Sequence, residues 1–167
     1  MDGKCGGNCQ MVGASRKFSL WPVIGAVVCC VLGIASGLGT AGGMDGWYQS
    51  LQKPAGNPPP WVFGPVWTIL YLLMGIAAGQ LLARGAWVPF GYFLVNFLLN
   101  LAWTPAFFGA HWLVGSLAII VGMGVFLVLA ILSARKVDAV SAGLWVPYLL
   151  WIIYATYLNG MIAWLNR

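Results

Sequence analysis

Charge is what this chain has least of. Only 7% of its 167 residues are charged, glutamate is absent, and the acidic side chains are Asp2, Asp45 and Asp138 alone. Soluble domains carry about 25% charged residues, so a chain that is 61% hydrophobic cannot be presenting its surface to water. The shortage of carboxylates speaks against conventional acid–base catalysis, which relies on positioned carboxylates or histidines. No Asp falls within an apolar run, and the single histidine, His111, is expected in an interfacial loop rather than in a catalytic role. Cysteine is also sparse. Cys5 and Cys9 form one C-x3-C pair with no further Cys or His nearby, and Cys29-Cys30 lie in an apolar run. A zinc site needs four ligands, so no metal site is expected, and the cysteines read as free thiols open to palmitoylation in the tail.

The basic residues are Lys4, Arg16, Lys17, Lys53, Arg84, Arg135, Lys136 and Arg167, for a net charge of +5. They are scattered, with no basic stripe interleaved with polar contacts, so nucleic-acid binding is not expected. They mark instead where the chain leaves a bilayer. A helix needs roughly 20 apolar residues to cross the hydrocarbon core. The charge-free intervals Lys17–Asp45 and Asp138–Arg167 each hold one span, and Arg84–Arg135 holds two, broken near Gly109-Ala110-His111. Between Lys53 and Arg84 the run Pro58-Pro59-Pro60 excludes a helix interior, which places the start of that span near Pro65, a tolerated first-turn proline. The intervals show no polar–apolar alternation, so a β-barrel is excluded.

The expected fold is therefore all-α, a bundle of five transmembrane helices. The spans fall at about 20–43, 65–83, 87–108, 112–134 and 141–164, with a long loop at 44–64. Residues 18–167 form one domain behind a disordered tail at 1–17. The apolar run from Phe18 to Gly43 exceeds the 7–15 residues of a signal-peptide core, so it reads as a retained span. The basic residues favour the side holding the N-terminus, Arg84, Arg135 and Lys136, which the positive-inside rule places in the cytoplasm for a bacterial membrane. Gly33-x-x-x-Gly37, Gly39-x-x-x-Gly43 and Gly75-x-x-x-Gly79 have the spacing of close helix contacts, within one bundle or between two.

The first loop carries the densest pattern. It runs Trp47-Tyr48-x-x-Leu51-x-Lys53-Pro54, then Pro58-Pro59, then Gly64-Pro65-Val66-Trp67-x-x-Leu70-Tyr71. Interfacial aromatics and stiffening prolines account for some of it. Loops of this length are nonetheless usually functional, and Trp47, Lys53, Pro54, Pro58 and Pro59 read as a stiff lid over the mouth of the bundle. Downstream, Asn96, Asn100, Trp103 and Phe107 fall on one helical face, as do Trp151, Ala155, Leu158 and Ile162, and as do Trp67 and Tyr71. Such stripes are either helix-packing surfaces, with the Asn side chains bonded between helices, or the wall of an aromatic pocket.

Three segments together resemble the translocator protein family, also called TspO/MBR or tryptophan-rich sensory protein. They are the loop pattern, Asn100-x-Ala102-Trp103-x-Pro105-x-Phe107-Phe108-Gly109, and Pro147-Tyr148-x-x-Trp151-x-x-Tyr154-Ala155-Thr156-x-Leu158-Asn159. The resemblance runs from about Trp21 to the end of the chain. It implies five membrane helices and a homodimer, in a bacterial or a mitochondrial outer membrane. It also implies a pocket for tetrapyrroles such as protoporphyrin IX and haem, with sterols and benzodiazepine-like molecules as further ligands. By motif matching, that pocket is lined by Tyr48, Trp67, Asn100, Trp103, Thr104, Trp151, Ala155 and Leu158; Asn96 and Asn159 stay open between pocket and packing.

A porphyrin or haem is expected as ligand, with no obligatory cofactor, since a fixed haem wants an aligned axial side chain. The sterol motif of some members is broken here, with Gly160 at its tyrosine position. The resemblance leaves a sensor, regulator or transporter, a light-dependent porphyrin-degrading enzyme with Trp67 and Trp151 as redox-active candidates, or a membrane scaffold acting through protein partners.

Overall fold

The computed structural model describes residues 19–38 and 46–167. The expectations for the tail at 1–17 with its basic residues and Cys5 and Cys9, and for the end of the first span with Gly39 and Gly43, lie outside the described residues. The order is α1 (Trp21–Leu38), α2 (Trp47–Ser50), α3 (Pro60–Ala83), α4 (Trp87–Thr104), a π-helical turn (Pro105–Gly109), α5 (Leu113–Ala134), α6 (Ala139–Leu144) and α7 (Val146–Leu165). No strand occurs among the described residues. Five stretches are long and apolar enough to cross a membrane: α1, α3, α4 with its π turn, α5, and α6 with α7. The protein is an integral membrane five-helix bundle.

The second span begins at Pro60, five residues before the expected Pro65. Pro59 is extended (φ −58°, ψ 147°) and Pro60 opens the helix, where a missing N–H costs nothing because first-turn donors are unbonded anyway. Pro65 therefore lies inside α3, and the loop over the bundle shrinks to residues 51–59. The last span, expected as one helix at 141–164, starts at Ala139 and is jointed at Trp145. Pro147 supplies no N–H to close the helical bond there. Trp145 is completely buried, donates its indole N–H to the Met74 carbonyl at 3.3 Å and stacks on Phe93.

The predicted break at Gly109–His111 is present, and His111 takes a left-handed φ of 53°. Before it, Pro105 cannot donate to Leu101. That freed carbonyl accepts the Ser36 hydroxyl of α1 at 3.3 Å instead, as a backbone group inside a bilayer requires. The wider π turn then closes through the Ala110 N–H to the Pro105 carbonyl.

Helix α1 packs along α3, α4 along α5, and α5 along α7. Gly75 and Gly79 make the first contact possible. A Cβ on Gly75 would meet the backbone of Gly25 and Ala26, and one on Gly79 the backbone of Trp21 and Pro22. This glycine pair serves packing within one chain. Val23, Val27, Val31, Leu98, Leu150 and Ile153 point outward, an apolar exterior that belongs against lipid. Exposed Trp61, Trp112 and Trp164 ring the end that carries α2, and Trp21 and Trp87 the opposite end, as interfacial tryptophans do.

At that opposite end Arg84 pairs with Asp138 at 2.8 Å. Asp138 also caps α6, accepting the Ser141 N–H and hydroxyl. Burial alone would raise the Asp138 carboxyl, but the Ser141 hydrogen bonds and the Arg84 charge outweigh it and hold it below the usual carboxylate value. A depressed carboxyl contributes stability at neutral pH and loses it as pH falls through its folded-state value. Asp138→Asn is expected to cost about 1 kcal/mol, because an ion pair whose Arg84 side is open to solvent and a helix cap each contribute on that order. A melting temperature in detergent that is lower for the variant at pH 7 and converges with wild type in acid would bear this out.

Candidate functional site: an aromatic cavity beneath a loop

The end of the bundle that carries α2 encloses a cavity of about 500 Å³. Its wall comes from the last turns of α1 (Gly33, Ile34, Gly37, Leu38), from Tyr48 and Gln49 of α2, and from α3 between Pro60 and Tyr71. Trp103, Thr104, Phe107 and Phe108 add the α4 side, and Trp151, Ala155, Leu158, Asn159 and Ile162 the α7 side. Helix α5 contributes nothing to the wall; it buttresses α4 and α7 from behind.

Seven of the eight residues matched to the family pocket (Tyr48, Trp67, Trp103, Thr104, Trp151, Ala155 and Leu158) border this space. They converge because α3, α4 and α7 each turn one aromatic stripe inward. Trp67 stacks on Tyr71 with centroids 5.4 Å apart and stands edge-on to Trp151 at 6.4 Å. Trp103 stacks on Phe107 at 5.1 Å.

Asn100 does not border the cavity. It is buried below it, accepting the Tyr71 hydroxyl at 3.0 Å and donating to the Tyr148 hydroxyl at 3.0 Å. Its place is a polar floor that ties α3, α4 and α7 together. Asn96 serves packing, donating to the Met123 carbonyl at 2.7 Å. Asn159 does both: it borders the cavity and donates to the Ser116 hydroxyl at 3.0 Å.

The segment 46–59 lies over the mouth. Trp47 stacks face to face on His111 at 4.0 Å, and the Tyr48 hydroxyl donates to the Asn57 side chain at 3.0 Å. Gly56, at φ 87°, turns its carbonyl to the Tyr154 hydroxyl at 2.6 Å. Asn166 and the Gln52 backbone exchange two hydrogen bonds of 3.0 Å. Trp47, Lys53, Pro54, Pro58 and Pro59, expected as the lid, shape this segment without bordering the cavity; Tyr48, Gln49 and Pro60 are its inner face.

Sequence reasoning missed Phe63, Gln49, Phe108 and the α1 residues of the wall. Phe108 stands inside the Asn100–Gly109 motif and Phe63 directly precedes the Gly64-Pro65-Val66-Trp67 motif, so both carried a signal. The α1 residues carried none beyond the Gly33 spacing, which reads equally as packing.

Among the described residues no Asp, Glu, Lys, Arg or His borders the cavity, and no group of three metal-ligating side chains comes together. Two wall groups lack a partner. The indole N–H donors of Trp103 and Trp151 are buried without a hydrogen bond, a condition that costs roughly 1–3 kcal/mol per group.

The model of the TspO/MBR family matches residues 25–165. Similar proteins include a tryptophan-rich protein TspO of Chlorobaculum tepidum, 38% identical over 145 residues, which cover 83% of this chain and 91% of the relative. A tryptophan-rich sensory protein of Cereibacter sphaeroides is 37% identical over 123 residues, covering 73% and 78% of the two chains. The translocator protein of Homo sapiens is 37% identical over 122 residues, covering 68% and 70%.

Proposed function

The chain belongs to the TspO/MBR family, and on that footing we propose that it binds a flat, largely apolar tetrapyrrole such as protoporphyrin IX or haem in the cavity beneath residues 46–59, as a sensor, regulator or transporter. The observation that carries this reading is the cavity itself. At about 500 Å³ it lies within the roughly 300–1,000 Å³ of small-molecule sites. Its wall stacks and crosses Trp67, Trp103, Phe107 and Trp151, and flat aromatic rings gain about 0.5–1.5 kcal/mol per well-placed pair beyond buried area. A bound acceptor group would also relieve the unpartnered Trp103 and Trp151 N–H donors once either ring turns toward it. The same wall accepts other planar apolar molecules, so benzodiazepine-like ligands and sterols belong to the proposal as competitors. A homodimer is proposed with it, through outward faces rather than Gly75 and Gly79, which α1 already occupies.

Titration with protoporphyrin IX is expected to quench tryptophan fluorescence to a plateau, because three tryptophans border the cavity. Quenching that grows linearly with porphyrin, as empty micelles would give, would remove the site.

The adjacency of Trp67 and Trp151, 6.4 Å apart, favours a second reading. A photo-excited porphyrin held between them would exchange electrons with indole, and dioxygen would complete its oxidation. The expected result is light-dependent loss of the Soret band in aerated buffer that stops in the Trp67→Phe, Trp151→Phe double variant. Equal decay in the variant would take both rings out of such a mechanism.

A further inference from the structure

We infer that the end of the bundle opposite the cavity carries a site for an acidic phospholipid, where Arg135 and Lys136, with Arg84 beside them, take the phosphate of the headgroup. A contrast between the cations of the two ends carries the inference. At the cavity end the described cations are engaged within the protein. The Lys53 ammonium lies 4.8 Å from the centroid of the Tyr48 ring and 3.3 Å from the Gln49 carbonyl, and Arg167 is stacked on Trp164 at 4.2 Å. At the opposite end Arg135 and Lys136 are exposed, and neither side chain has a hydrogen bond, ion pair or ring contact among the described residues.

The turn that presents them is fixed. The N–H groups of Arg135, Val137 and Asp138 donate to the carbonyls of Ile131 and Ala134 at 2.8 to 3.0 Å, and the Asp138 side chain ties the turn to α3 through Arg84 and to α6 through Ser141. Asp138 is the sole carboxylate side chain among the described residues. It does not screen the two cations from outside, because it is 10% exposed and spent on Arg84 and Ser141. Three cations therefore stand against one buried carboxylate. Arg84 is itself 47% exposed and uses only Nη1, on Asp138 and the Gln80 carbonyl, so its other N–H donors are open to an anion. Exposed Trp21 and Trp87 put this level at the headgroups. Val137 and Val140, exposed on the same turn and the start of α6, add an apolar rim. A free phosphate ester offers the same charge as a headgroup, but only a lipid also covers that rim.

The test offers the full chain, in nonionic detergent, equal amounts of phosphatidylglycerol and phosphatidylcholine with identical acyl chains, and counts the lipids retained by native mass spectrometry. Wild type is expected to retain the acidic lipid about tenfold or more over the zwitterionic one, since each Lys or Arg near an anionic headgroup is worth about fivefold. The Arg135→Gln, Lys136→Gln double variant should lose the preference. Lys136→Gln alone should lose about fivefold of it, which keeps the test decisive if the double variant folds poorly. Lys53→Gln removes one charge at the cavity end and should change nothing. Equal retention of the two lipids by wild type overturns the site, as does a preference that survives both Arg135 and Lys136 variants or falls as far in Lys53→Gln. Displacement of the acidic lipid by excess glycerol 1-phosphate would also overturn it, showing a site for free phosphate esters and not for a lipid.

Discussion

Gly79→Val is expected to leave little monodisperse protein in detergent, and Gly75→Val nearly as little. In each case the added Cβ would land on the α1 backbone, at Trp21–Pro22 or at Gly25–Ala26. Overpacking by a methylene typically costs about 1–3 kcal/mol when side chains can move aside. Here the obstacle is main chain, and a rotamer change does not relieve it. Helix α1 would have to lift off α3, taking Gly33, Ile34 and Gly37 away from the cavity wall. Gly91→Val is the matched control, since a Cβ there meets nothing within 4 Å. Size-exclusion profiles and melting temperatures read the difference. A Gly79→Val protein as monodisperse and as heat-stable as Gly91→Val would show that α1 is not docked on α3 in this way.

Trp67→Ala should weaken porphyrin binding about thirtyfold or more, the consequence of deleting a central aromatic worth on the order of 2 kcal/mol, with a small change in melting temperature. Trp67 touches the cavity and three aromatic neighbours, Tyr71, Tyr148 and Trp151. Asn100→Leu should behave in the opposite sense. It strands the hydroxyls of Tyr71 and Tyr148, and a stranded buried polar group costs roughly 1–3 kcal/mol. The protein should therefore melt lower, while whatever remains folded binds porphyrin with close to normal affinity. Were Asn100→Leu to lose binding at unchanged stability, Asn100 would be a ligand contact after all.

That contrast shows how far the sequence could be read. Helical periodicity put Asn100 on the same face as Trp103 and Phe107, and motif matching made it a pocket residue. Both statements concern direction around a helix. Neither contains depth along it, and depth is what decides: Asn100 sits one turn too deep, where two tyrosine hydroxyls from other helices reach it. The number of spans was legible because charge is expelled from a bilayer and sparse charges bracket each crossing. The start of α3 was misplaced for a related reason. A triple proline forbids a helix interior, yet its last member can still open one, and the cost of Pro65 inside the helix is hidden from a rule applied one residue at a time. The contribution of α1 to the cavity wall depends on how closely it approaches α3, which is a tertiary fact carried by Gly75 and Gly79 on the partner helix.

The hydrogen-bonded floor of Tyr71, Asn100 and Tyr148 makes the site a cup and not a conduit. Below it Met74, Leu81, Leu127 and Trp145 are sealed from solvent altogether, a plug of side chains between the cavity and the Arg84–Asp138 end. A cargo crossing along the axis would have to break both tyrosine–asparagine hydrogen bonds and then repack that plug. If this protein moves a ligand between compartments, the route therefore runs out through the mouth or sideways into the bilayer, and directionality would have to come from whatever meets the ligand there.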